Sequence, residues 1–202
     1  NSMITLPSLQ NLKLDFRSFD NCFIRLENCE IEASIIRAIN LSRAKHLHII
    51  VYQACSLDEL NFLFNYFLEF KSIELYCETD ASHENLSEMV ESYLNIRRLF
   101  IFNSGSDSYF PNAHPDMGDI YYLTSNVRDV SCGNICQEYF SVNIESYNRA
   151  NSVNNCLYGK LGIDELGDYC NCPFMDKRFG NVKDKNSLEL LKDGNFTSIW
   201  KT

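Results

Sequence analysis

Apolar residues in the first half of the chain fall into short runs separated by segments with helical spacing. Leu47, Ile73 and Leu99 occupy equivalent places in three of these runs and are 26 residues apart. The runs are typical of strands, and the segments between them place apolar residues three or four positions apart, as amphipathic helices do. The predicted strands are residues 12–16, 45–52, 71–76, 98–102 and 120–123.

This alternation predicts an α/β fold with parallel strands and right-handed crossovers. Ser56 and Ser82 precede acidic residues at the start of two predicted helices, which is typical of N-caps. Two architectures fit the pitch: a partial (β/α) barrel-like layer and a leucine-rich repeat horseshoe. We favour the partial barrel because the helices are full length and the Asn that usually closes a leucine-rich repeat turn occurs only at Asn103.

The repeat ends before the cysteine-rich second half. Residues 104–118 are rich in turn formers and form a predicted loop or linker. We therefore predict a barrel-like βα domain over residues 1–128 and a tail over residues 129–202, in which a small cysteine-bearing β-hairpin is followed by a helix.

Charge and hydropathy exclude some partners. The net charge of -9 and the pI of about 4.9 argue against a nucleic-acid partner, which requires clustered Lys and Arg. No apolar run is long enough to span a membrane and no signal peptide is present, so we expect no membrane partner and a cytoplasmic location. Asn1-Ser2 resembles a cloning remnant and the sequence stops just after a predicted helix, which suggests a fragment of a longer protein.

The first half carries no recognised catalytic motif for nucleotide binding, metalloprotease or hydrolase chemistry. His46 and His48 lie on one face of a predicted strand. We interpret them as partly exposed strand residues rather than as half of a metal site. The first half is therefore predicted to be a scaffold.

The nine cysteines form two groups. Cys22, Cys29, Cys55 and Cys77 are scattered, as small buried hydrophobic residues of a cytosolic protein would be. The other five crowd between residues 132 and 172, which is more typical of a metal site. Residues 164–167 predict a hairpin turn with Gly167 left-handed, which would carry the two thiols that flank the hairpin, Cys156 and Cys172, to its open end.

The group begins with a near-match to the C-x3-C-x2-C loop of radical S-adenosylmethionine enzymes. Cys132 and Cys136 have the first spacing, but the third position is Tyr139. That loop also follows the first strand of a barrel, whereas here the strands precede it. The chain thus contains no intact radical motif, and whether it is an enzyme stays open.

A family resemblance accounts for the second half better. Cys156, Gly167, Cys172 and Pro173, with Phe-Gly-Asn-Val at residues 179–182, resemble the opening of a SPASM domain, the auxiliary iron–sulfur module of radical peptide maturases. With Cys132-Gly133, residues 138–144 and the preceding barrel-like layer, most of the chain is similar to the SPASM-domain maturases of grasp-with-spasm systems.

The resemblance implies a role in maturing a ribosomally made, post-translationally modified peptide. It implies two partners, a precursor peptide and an ATP-grasp ligase. It makes Cys156 and Cys172 the first two ligands of an auxiliary iron–sulfur cluster, whose later ligands would lie past Thr202. A complete four-thiolate cluster within this chain would have to recruit Cys132, Cys136 or Cys170, so a cluster in the full-length protein and a metal-free chain both stay open.

Three functions follow as alternatives. The first is an accessory or maturase protein that works with the ligase. The second is a radical enzyme whose S-adenosylmethionine-binding part lies upstream of Met3. The third is a repeat-type, leucine-rich-like interaction scaffold without catalytic activity.

Overall fold

A computed structural model describes residues 18–112, 117–131 and 153–201 and shows a mixed α/β fold built on one eight-stranded, mostly parallel sheet. The strands are β1 (Asn21–Leu26), β2 (His46–Val51), β3 (Ser72–Cys77), β4 (Ile96–Ile101), β5 (Ser108–Phe110), β6 (Asp119–Tyr122), β7 (Lys160–Ile163) and β8 (Tyr169–Cys170). The α-helices are α1 (Ala33–Ser42), α2 (Leu57–Asn65), α3 (His83–Ser92) and α4 (Gly194–Thr197), and 3-10 helices cover Val127–Asp129, Ser187–Lys192 and Ser198–Trp200.

The sheet order is β5-β6-β4-β3-β2-β1-β7-β8. β1 to β4, β6 and β7 run parallel, while β5 and β8 pair antiparallel at the two edges. The predicted parallel βα layer is therefore confirmed. Within the described ranges no helix combines the length and hydrophobicity needed to span a membrane.

Both predicted N-caps are confirmed. Ser56 Oγ accepts from the Glu59 backbone N–H, and the Glu59 carboxylate accepts from the Ser56 N–H, which completes a capping box at α2. Ser82 Oγ accepts from the Asn85 N–H at the start of α3. These caps begin each helix immediately after the loop that leaves the preceding strand.

The 26-residue repeat holds between β2 and β3, where Leu47 pairs with Ile73. It fails between β3 and β4, because Leu99 pairs with Leu75 and Ile73 pairs with Ile96. The register shift leaves Arg97 as an extra residue in β4, a β-bulge. Spacing alone could not show this bulge because it changes the pairing without ending the strand.

The sequence analysis missed β1, whose residues alternate between buried and half-buried positions. The polar residues Asn21 and Arg25 interrupt its apolar run, which concealed the strand. The strand predicted at residues 12–16 lies outside the described residues.

One apolar cluster joins the sheet to the helices. Cys22, Leu47, Ile73 and Leu99, one from each of the four central strands, are 0% exposed and belong to it. The buried residues of α1, α2 and α3 belong to the same cluster. Burying this apolar surface is the main source of the fold's stability.

The tail joins the sheet through β7, which pairs parallel with β1. The predicted hairpin is confirmed, and Gly167 has the expected positive φ of 80°. The buried Asp164 carboxylate accepts from Arg178 Nε at 2.6 Å and from the backbone N–H groups of Leu166 and Asp168. This carboxylate therefore ties the hairpin turn to the segment that follows β8.

The aromatic end of the tail packs against the first half. Phe19 makes edge-to-face contacts with Phe196 and Trp200, at centroid distances of 6.1 and 6.0 Å. All three rings belong to the same buried cluster as the central strands. The predicted boundary near residue 128 separates two segments with different sequence patterns. Both segments belong to one sheet and one core.

The scattered cysteines divide into two kinds. Cys22 and Cys77 are buried free thiols, as expected, and burial raises the pKa of Cys77 to about 12. Cys29 and Cys55 instead form a disulfide between the loops that follow β1 and β2. The prediction that all four are isolated buried residues was therefore wrong for this pair.

Candidate ligand-binding face of the sheet

The face of the sheet opposite α1 to α3 carries a row of mainly polar side chains. The strand register aligns Phe23, His48, Glu74, Arg98 and Asp119 across five adjacent strands. Side chains two residues apart along a strand share a face, so these residues alternate with the buried ones that contact the helices. We call this surface the open face and define it by that row and its neighbours on the same side.

Glu74 is the centre of a hydrogen-bonded group on the open face. Its Oε2 accepts from the Tyr76 hydroxyl at 3.0 Å and lies 3.2 Å from His48 Nδ1, and its Oε1 lies 3.3 Å from an Arg98 guanidinium nitrogen. Burial by itself would raise the pKa of Glu74, but the hydrogen bond from His48 and the charges of His48 and Arg98 hold it below the usual value. The carboxylate is therefore ionised and fixed.

The bulge in β4 determines which residue faces Glu74. Because Arg97 is the extra residue, Arg98 rather than Arg97 pairs opposite Glu74. Bulges are frequent beside functional sites, where they re-aim a side chain. The Arg98 side chain remains 54% exposed, so its guanidinium contacts Glu74 and solvent at the same time.

Four aromatic rings form a continuous stack beside this group. Tyr76, Phe100, Tyr121 and Tyr109 lie on β3, β4, β6 and β5, with successive centroid distances of 4.6, 4.8 and 4.7 Å. Burial, followed by the nearby charge of Asp119, raises the pKa of Tyr121 to about 12, so its hydroxyl stays protonated. Offset aromatic contacts of this kind stabilise a rigid surface.

A cavity of about 540 Å³ lies over the stack. That volume is within the range of small-molecule and side-chain pockets, roughly 300–1,000 Å³. Its wall is mainly aromatic and aliphatic, with a few polar groups. The lining residues are Tyr76, Arg98, Phe100, Phe102, Tyr121, Leu123, Ser125, Asp129, Val130 and Ser131.

The other end of the open face is closed by the tail. Phe174 packs edge-to-face on Phe23 at 5.7 Å, and the Arg25 guanidinium lies 5.8 Å from the Phe174 ring. Arg25 also pairs with Glu165 at 2.9 Å. The tail therefore covers the β1 side of the face, while the β3, β4 and β6 side carries the cavity.

His46 and His48 are both half-buried on the open face, as interpreted from the sequence. His46 Nδ1 contacts Ser72 Oγ at 2.6 Å, and His48 stacks on Phe23 at 5.4 Å. Each histidine side chain thus contacts the residue paired with it on a neighbouring strand.

The predicted metal ligands do not form a complete set within the described residues. Cys156 is exposed, whereas Cys170 and Cys172 are buried. The hairpin pairs Gly162 with Cys170, so its centre falls at residue 166, two residues beyond the midpoint of Cys156 and Cys172.

Burial raises the pKa of Cys170 to about 12, which disfavours the thiolate that a metal requires. Among the described residues no group of three or more His, Cys, Asp or Glu side chains could hold a metal ion. Cys132 and Cys136 lie outside the described residues. The metal site stays a prediction.

The sequence analysis did not identify Glu74, Arg98 or the aromatic stack. The sequence did carry a signal for Glu74 and Tyr76, because they alternate with the buried Ile73 and Leu75 and so must lie on the opposite face of the strand. Comparison with protein-family models, curated proteins and solved structures gave no match. The evidence for a function therefore rests on this chain's own residues.

Proposed function

We propose that the chain is the peptide-binding part of a peptide-maturation protein that works with an ATP-grasp ligase. In this proposal the sheet is one wall of a partial barrel, and the open face is its inner, substrate-facing surface. The observation that carries the proposal is the cavity of about 540 Å³ beside the fixed Glu74 and Arg98 charges.

The surface suits a peptide because it offers both kinds of contact that a peptide needs. Aromatic walls take an apolar side chain, and the hydroxyl, carboxylate and guanidinium groups at the margin can bond polar backbone or side-chain atoms. The stacked rings and the hydrogen-bonded Glu74 are held before a ligand arrives, which lowers the entropic cost of binding.

The resemblance to SPASM-domain maturases supplies the kind of peptide, a ribosomally made precursor. The auxiliary cluster that it implies would need four thiolates, and the described cysteines do not provide them. The proposal therefore assigns no catalytic residue and routes no step through a cluster.

The test is the affinity of the purified chain for the precursor peptide encoded beside its gene, measured by fluorescence anisotropy. We expect binding that Tyr121→Ser weakens at least about tenfold, which is about 1.4 kcal/mol. Leu94→Ser is the matched control, because Leu94 is 62% exposed in the loop between α3 and β4. Absence of binding to both the peptide and the ligase would refute the proposal.

A second candidate is a repeat-type interaction scaffold. It is favoured by the equivalent placement of open-face residues in successive units: His46 contacts Ser72 and His48 contacts Glu74, each 26 residues further on. Further copies of the 26-residue unit in the full gene, without a neighbouring ligase gene, would decide for the scaffold.

A further inference from the structure

Exposed apolar side chains gather on the outer side of the helix layer, where α2 and α3 end. Phe62 and Leu68 are each more than half exposed, as is Leu94 in the loop between α3 and β4. Tyr66 follows α2 directly, is 36% exposed, and contacts Phe62 edge-to-face at a centroid distance of 5.1 Å. We call these four side chains the helix-layer patch.

Hydrogen bonds fix the backbone that carries the patch. The Tyr93 hydroxyl donates to the Asn61 carbonyl at 3.2 Å, which ties the end of α3 to α2. Asn95 Nδ2 donates to the Phe67 carbonyl at 2.9 Å. The two bonds bracket Leu94 and hold its loop against the end of α2. The patch is therefore formed before a partner arrives, which lowers the entropic cost of covering it.

The patch has no role in the core. None of its side chains belongs to either buried cluster. Single exposed apolar residues are normal, whereas several together mark an interaction surface. In the ranges that the structure describes, the other exposed large apolar side chains are Leu166 in the hairpin turn and Tyr109 and Phe110 on β5.

Carboxylates flank the patch. Asp58 precedes Phe62 by one helical turn, and Glu69 follows Leu68 directly. Both are exposed, and neither forms an ion pair within the described part of the chain. The helices themselves carry only carboxylates as charged groups, apart from His83, and all of these carboxylates are exposed: Asp58, Glu59, Glu84, Glu88 and Glu91.

The cations nearest along the chain do not neutralise this charge. Lys71 precedes β3 and Arg97 lies near the start of β4, so two cations accompany the six carboxylates of α2, α3 and Glu69. The outer side of these two helices is therefore both apolar and negative.

This charge selects among the possible occupants. An anionic membrane surface or a nucleic acid would meet like charge. A second copy in a two-fold pair would place the same carboxylates opposite each other. A basic protein segment is complementary, and the aliphatic stems of its Lys and Arg side chains can cover apolar surface as well.

We infer that the helix-layer patch docks a basic amphipathic helix of a partner protein, whose apolar side chains cover Phe62, Tyr66 and Leu68 and whose Lys and Arg side chains pair with the flanking carboxylates. Phe62 and Tyr66 form a ridge of the kind that packs into the groove of a second helix. The nine residues of α2 span roughly 14 Å, so about three turns of the partner helix cover the patch. The patch lies across the sheet from the open face, so this inference does not rest on the proposed function.

The probe is a fluorescein-labelled 18-residue helical peptide with Leu along one face and Lys along the other, titrated by fluorescence anisotropy. We expect it to bind the wild-type chain and to bind Phe62→Gln and Leu68→Gln each about tenfold more weakly. Leu166→Gln is the matched control, since it removes an equally exposed apolar side chain elsewhere and should bind as the wild type does. The urea midpoints of all three variants should match the wild type, because exposed side chains are replaced.

A second pair of variants tests the charges. Asp58→Asn/Glu69→Gln should bind the basic peptide about fivefold more weakly at low salt, and the difference should vanish at high salt. Glu30→Gln/Glu189→Gln changes the net charge equally at exposed positions outside the patch and should bind as the wild type does.

Four outcomes would overturn the inference: equal affinity of Phe62→Gln and Leu166→Gln, equal affinity of the two charge variants, equal binding of a peptide with Glu in place of Lys, or self-association of the wild type that Phe62→Gln abolishes. The two faces are tested separately. Tyr121→Ser should bind the basic peptide as the wild type does, and Phe62→Gln should bind the precursor peptide as the wild type does. If the precursor does not bind but the basic peptide shows the expected dependence, the inference stands and the proposed function fails.

Discussion

The two faces of the sheet differ in what their side chains contact, although the same strands supply both. On β3, Ile73, Leu75 and Cys77 are 0% exposed and pack against the helices. The alternate residues Glu74 and Tyr76 form hydrogen bonds and ring stacks on the open face. One face therefore supplies most of the stability, and the other carries polar and aromatic groups that do not contact the helices.

The largest effect is expected from the helix-covered face. Leu75→Ala removes a fully buried side chain in a central strand and should lower the free energy of unfolding by about 3 kcal/mol, since the surrounding core cannot collapse completely. Phe100→Ala on the half-buried open face should cost about half as much. Urea denaturation of both variants checks this, and equal losses would contradict the division of roles.

The disulfide between Cys29 and Cys55 should strengthen the helix-covered side. The bond closes a loop of 26 residues and so restricts the unfolded chain. Its loss frees the unfolded chain and should therefore lower the free energy of unfolding by about 3 kcal/mol. A reducing agent should therefore lower the urea midpoint of the wild type. The Cys29→Ser/Cys55→Ser variant should not respond to reduction, and a wild type that is insensitive to reductant would exclude a stabilising disulfide.

A smaller effect is expected at the ion pair that ties the hairpin turn of the tail to the segment after β8. Arg178→Ala leaves the Asp164 carboxylate, whose side chain is 4% exposed, without its cation, and should cost about 2 kcal/mol. The surface pair of Lys183 with Glu32 is more than half exposed on both sides, so Lys183→Ala should change stability by less than about 0.5 kcal/mol. The same denaturation assay compares them, and the account is wrong if the two variants are equally stable.

The smallest effect concerns the ionisation of Glu74. Because its pKa in the folded protein is held below the ordinary 4.5, its ionised form adds stability above pH 4.5, and this stability is lost as the pH falls through the lower folded value. Glu74→Gln should therefore cost about 1 kcal/mol at neutral pH, and the difference from the wild type should fade in acid. Unfolding measured from pH 7 to pH 3 tests the sign, and a difference that grows towards acid would contradict it.

The helix-covered face was predictable because burial imposes periodicity. Leu47, Ile73 and Leu99 had to be apolar, and Ser56 and Ser82 had to accept backbone N–H groups, so spacing and caps located the elements. β1 was missed because Asn21 and Arg25 interrupt its apolar run.

The pairing of residues across the open face was not predictable from spacing, because spacing within each strand does not fix the register between neighbouring strands. The bulge at Arg97 decides that Arg98, rather than Arg97, lies opposite Glu74. The cysteine pattern likewise indicated which thiols are close in the sequence, but burial separates the exposed Cys156 from the buried Cys170 and Cys172.

The central claim is that the open face is the recognition surface. Incorporating fluorotyrosine and titrating the precursor peptide while recording fluorine NMR spectra tests it most directly, with resonances assigned by single Tyr→Phe variants. The account predicts shifts for Tyr76, Tyr109 and Tyr121, which form the aromatic stack, and none for Tyr169, which is buried against the helices. Shifts confined to Tyr169, or a spectrum that the bound peptide leaves unchanged, would contradict it.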